Sequence, residues 1–194
     1  MTPDIAAILG VDGIATGAIY VLVAIGTVLI FTVTRVIFIP FGDIAAFTAL
    51  TLAALDTGQV PGTIGLLVAL ACLATLVEVT SLVRKQAYRE IPYAFLYYLV
   101  IPAAIALVVW LLIPLKPPLP VRLAMALLLI LPIAPLLDRI VFRPIADGTV
   151  LLLLIVSVAL HFALVGLGLL FFGPEGVRTE PLSSFHMEIA GIML

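Results

Sequence analysis

Thiols, charges and reactive side-chain pairs are all scarce in this sequence, and each scarcity removes a class of function. One cysteine, Cys72, in 194 residues can form neither an intrachain disulfide nor a thiolate metal site. It lies inside an apolar run and reads as a packing residue. Only 10% of the residues are charged, nine Lys and Arg against eleven Asp and Glu, with no basic face interleaved with aromatics, which excludes a nucleic-acid partner. There is no nucleophile with its base, no paired-carboxylate site, no phosphate-binding Gly loop and no His/Cys cluster. The chain is therefore expected to be no enzyme and to bind no metal or cofactor of its own. No Lys or Arg precedes the first apolar segment in MTPDIAAILGVDG, and no small-residue cleavage site follows a short core, so the first helix is expected to stay in the mature chain.

What is abundant is apolar surface: 64% of the residues are hydrophobic and the mean hydropathy is +1.38, outside the range of soluble globular chains. A bilayer core about 30 Å thick needs roughly 20 apolar residues per helix. Against that length the sequence predicts an all-α, polytopic integral membrane protein. It is expected to form a single transmembrane domain over 1–194, with spans at about 12–34, 43–57, 63–83, 91–113, 122–142 and 149–172. The segment 44–55 holds only 12 uncharged residues behind Pro40, Gly42 and Asp43, so it either spans or dips back, giving six or five spans. The preceding IFIPFGD predicts a discontinuous helix, since irregular backbone at membrane depth survives only where protein or a wet cavity covers it.

The densest basic cluster, Arg84, Lys85 and Arg89, predicts a cytoplasmic loop after the third span. With six spans, Arg35, Arg139 and Arg143 join it inside, Lys116, Arg122 and Arg178 lie outside, and both termini face outward. With 44–55 re-entrant, Arg35 and the N-terminus change sides. Tyr88, Tyr93, Tyr97 and Tyr98 crowd the inner interface and Trp110 lies near the outer one. DTGQVPG, PLKPPLP and FRPIADG read as turns too short to hold a soluble domain.

Few residues invite a role at membrane depth. Gly13 and Gly17 share a helix face and, with Gly26, are expected to let another helix of the same chain approach closely. Asp43 either caps the helix that follows or sits beside a helix N-terminus that attracts a passing carboxylate. His161, one turn after Ser157, makes a small polar patch; with no second ionisable group expected at its depth, it reads as a structural histidine rather than a proton relay. Glu78 is expected to snorkel or to pair locally with Arg84 or Lys85. Asp138, Arg139 and Arg143 are expected, with Arg84, Lys85 and Arg89, to anchor the cytoplasmic surface. Pro132 and Pro135 should kink the fifth span.

Two blocks, GIATGAIYVLVAIGTVLIFTVTRVIFIPFGD at 13–43 and PLLDRIVFRPIADGTVLLLLIVSVALHFA at 135–163, resemble the permeases of branched-chain amino acid ABC transporters, the inner-membrane translocators of the LivH type. The first rests on Gly17, Tyr20, Ala24, Gly26, Arg35, Gly42 and Asp43, the second on Arg139, Phe142, Arg143 and Pro144. Together they cover about a third of the chain. The resemblance implies a multi-pass permease subunit in a bacterial inner membrane. Its partners would be ABC ATPase subunits that use ATP, a second permease subunit, a periplasmic solute-binding protein and the membrane lipid. Its substrate path would run past Thr16, Tyr20, Gly42, Asp43, Ser157 and His161. Where the family usually has Asn and His in the break, this chain has Phe38 and Phe41; residues 63–113 look inserted; and the sequence ends before the family's later helices and coupling segment, as a truncated chain would. A non-transporting membrane scaffold, a permease for urea or short amides, and an ion-coupled carrier are the other readings weighed.

Overall fold

The computed structural model describes residues 3–174 together with the pairs 188–189 and 192–193. Its architecture is all-helical apart from a two-residue antiparallel ladder pairing Glu188 with Met193 and Ile189 with Ile192. Six helical segments follow one another: α1 (Pro3–Thr34), α2 (Phe41–Asp56), α3 (Gly62–Arg84), α4 (Tyr88–Leu115), α5 (Leu119–Ile145) and α6 (Val150–Phe172). Five of them are long and apolar enough to cross a membrane; α2, at 16 residues, is about 24 Å long and falls short. Arg178, expected on the outer side, lies outside the described residues.

α3 is the centre of the bundle. Its buried residues Thr63, Leu66, Leu67, Leu70, Ala71, Ala74 and Thr75 recur at three and four, a single stripe that meets α2, α4, α5 and α6. α5 answers with Met125, Ala126, Leu129, Ile130, Ile133, Leu136 and Leu137, and α6 with Leu153, Ser157, Leu160 and Leu164. Close approach requires small residues: a Cβ on Gly62 would lie 2.2 Å from the Phe171 carbonyl oxygen at the end of α6. Gly62→Ala is thus expected to cost about 1–3 kcal/mol by forcing α3 and α6 apart, measured as a lowered unfolding temperature of the detergent-purified chain.

The outward faces carry Leu, Ile, Val and Phe in quantity, a surface suited to lipid. Several threonines inside the helices turn their hydroxyls back on their own carbonyls, as Thr27 does to Val23 (2.8 Å) and Thr75 to Ala71 (2.7 Å). Among its described residues α1 contributes none that is buried. Gly13 and Gly17 have nothing within 4 Å of an added Cβ, so the expected packing against another helix of the chain is not made; only Gly26 is used, against the Phe41 ring. Cys72, expected inside the packing, is exposed on the outside of α3.

Both long middle helices contain a wide π turn, Leu96–Val100 and Asp138–Phe142, and each ends two residues before a proline, Pro102 and Pro144. A proline removes one amide and displaces the carbonyl a turn earlier, and the wider turn absorbs that displacement. α5 also breaks at Leu131 and Pro132, the kink expected there.

Candidate functional site at the α1–α2 break

α1 ends at Thr34, and Arg35 takes a left-handed conformation (φ 56°) that turns the chain out of the helix. Residues 35–40 are irregular, and their backbone is sealed by α6: the Ile39 amide donates to Ser157 Oγ at 2.9 Å, with Ser157 wholly buried. Ser157 lies seven residues beyond the start of α6, about 10 Å along it, so the break sits inside the bundle and not at its end. Truncating the hydroxyl in Ser157→Ala should cost about 1 kcal/mol locally, read as roughly fivefold faster hydrogen exchange at the Ile39 amide.

One turn further along α6, His161 Nδ1 meets Asp43 Oδ2 at 2.7 Å. Asp43 is 13% exposed and the imidazole 35%. The expectation that no second ionisable group shares the depth of His161 is corrected: the break folds inward and delivers Asp43 there, 118 residues away in sequence. The capping expectation for Asp43 is corrected with it, since no side-chain hydrogen bond caps α2 and the carboxylate turns to the imidazole instead. Pro40 stands at the N-cap, and the Phe41 and Ile44 amides bond the Phe38 and Pro40 carbonyls at 3.3 and 3.0 Å. The Gly42 and Asp43 amides are left as uncommitted donors of the first turn, and a Cβ on Gly42 would meet nothing within 4 Å.

α2 then runs away from the end at which α1 finishes. Its last residue, Asp56, holds Arg122 of α5 at 3.0 Å, and Thr51 shares a buried hydroxyl contact with Thr63 at the start of α3.

The sequence groups together residues that the fold separates. Thr16 and Tyr20 lie on the open surface of α1, Tyr20 at 71% exposure, and are not brought to Asp43 and His161. Phe38 stacks edge-on against Phe142 (5.7 Å), and Phe41 packs on Gly26, so the two phenylalanines of the break make apolar contacts. A cavity of about 310 Å³ lies between the end of α1, the break at Val36 and Phe38, and α5 at Pro135 and Phe142.

A second polar pair was missed in the sequence. Glu78 of α3 reaches neither Arg84 nor Lys85; it forms an ion pair with Arg139 of α5, both side chains about 15% exposed or less. Arg139 is consequently turned into the bundle and is no surface anchor, whereas Asp138 and Arg143 remain outside, 3.8 Å apart. The π turn at Asp138–Phe142 carries that inward rotation, and nothing in residue spacing announces it. Among the described residues, no group of three His, Cys, Asp or Glu side chains is placed to hold a metal ion. No protein family, curated protein or solved structure matches this chain.

Proposed function

We propose that this chain is a permease subunit of an ABC importer for branched-chain and other hydrophobic amino acids, working in a bacterial inner membrane with both its described termini regions outward and the Arg84–Arg89 loop inward. The observation that carries the reading is the broken helix at mid-depth, with two uncommitted amides beside a carboxylate. An amino acid is a zwitterion. Its carboxylate suits the Gly42 and Asp43 amides at the positive end of α2, and its ammonium suits the Asp43 carboxylate, held in place by His161. The apolar cavity against the same break suits a branched aliphatic side chain. Substrate would arrive from a periplasmic binding protein and pass inward by alternating access, with ATP hydrolysed on separate subunits and a second permease subunit completing the pathway.

One observation favours a non-transporting scaffold instead: Phe38 and Phe41 fill the break with apolar contacts where the resembled permeases carry polar residues. Uptake of labelled leucine by cells expressing the whole transport operon, with isoleucine, leucinamide and urea as competitors, tests the assignment. Competition by isoleucine and none by leucinamide supports zwitterion recognition. Competition by urea alone points to the neutral-amide reading, and no uptake at all to the scaffold.

A further inference from the structure

We propose that the cleft between the end of α3 and the end of α5 binds the phosphate of an anionic phospholipid headgroup. The cleft has a volume of about 430 Å³ and is lined by four cations, Arg84 and Lys85 from α3 and Arg139 and Arg143 from α5, with the Ser81 hydroxyl among them. Their compensation is uneven. Arg139 is neutralised by Glu78, and Arg143 has only a distant, solvent-exposed Asp138. Arg84 and Lys85 have no carboxylate within 4.0 Å among the described residues. Two positive charges therefore face a shared space without a counter-ion, which a phosphate oxygen supplies by charge-assisted hydrogen bonds.

The place of the cleft selects a lipid over a soluble anion. It opens at the ends of two helices of spanning length, the level at which headgroups lie. Its inner wall includes Val77, seven residues before Arg84 and so about 10 Å further into the bundle, an apolar surface for the start of an acyl chain. The ordinary alternative is that Arg84 and Lys85 merely favour the negative C-terminal end of α3. That effect is indifferent to lipid identity, which the test exploits. The proposal is independent of the transport assignment.

The full chain, purified in detergent, is titrated with phosphatidylglycerol and with phosphatidylcholine, and bound lipid is counted by native mass spectrometry. One phosphatidylglycerol should be retained about tenfold more tightly than phosphatidylcholine. In the Arg84→Gln, Lys85→Gln double variant the preference should fall to about twofold or less. Arg89→Gln removes the same kind of charge from the same loop, outside the cleft, and should keep the preference. Lys85→Gln alone repeats the test should the double variant not fold. Equal binding of the two lipids by the wild type would overturn the proposal, as would an equal loss in Arg89→Gln. Displacement of the bound lipid by inorganic phosphate at comparable concentration would also overturn it, by making the cleft a site for a soluble anion.

Discussion

Asp43→Asn should reduce amino-acid uptake by roughly ten- to a hundredfold while leaving the amount of protein in the membrane unchanged. The carboxamide keeps the size and one acceptor of the carboxylate but loses the charge proposed to face a substrate ammonium and the charge-assisted bond to His161. Each such bond is worth about 1.5–3 kcal/mol, and 1.36 kcal/mol is a tenfold change in rate. Because Asp43 and His161 act as a unit, Asp43→Asn combined with His161→Gln should be little worse than Asp43→Asn alone, whereas independent roles would multiply the two losses. Wild-type uptake in Asp43→Asn would remove the break from the substrate path.

Glu78→Ala should be the most destabilising single substitution in the chain, at about 3–5 kcal/mol, because it strands the Arg139 guanidinium without its counter-charge inside an apolar bundle. The measurement is loss of the folded, detergent-purified protein on heating. Replacing both partners, as in Glu78→Leu with Arg139→Met, should recover most of that loss, since two well-packed apolar side chains avoid burying any charge. A Glu78→Ala protein as stable as wild type would mean that Arg139 has another partner or reaches the surface.

Much of the fold is legible in the sequence because lipid imposes a simple rule: an uncharged stretch long enough to cross must be a helix, since every backbone group has to bond within it. The expected 63–83 against Gly62–Arg84 and 149–172 against Val150–Phe172 differ by a residue or so at each end. The Thr149 hydroxyl, which accepts from the Leu152 amide at 3.3 Å, sets the start of α6 where a cap residue invites it. The break before α2 was legible for a related reason, since Pro40 cannot sit inside a helix and stands instead at the N-cap of α2.

The pairings were not legible. Asp43 and His161 each stand alone in their own segment, and only the inward fold of residues 35–40 joins them. Glu78 has nearer cations in sequence than Arg139, and nothing in the residue spacing ties it to a partner on another helix. The π turn in α5 rotates Arg139 by an amount that no 3.6-residue pattern encodes. Gly13 and Gly17 show the reverse failure: the spacing suits a close helix contact, yet α1 lies at the margin of the bundle and, among the described residues, no partner approaches either glycine.

If the chain works as one subunit of an ATP-driven importer, as proposed, its partner subunits should stay with it on purification. The most direct test is to express its whole operon, extract the membranes, and purify through a tag on this chain. ATPase subunits and a second permease subunit should come with it in fixed stoichiometry; a folded chain that purifies alone would contradict the importer assignment.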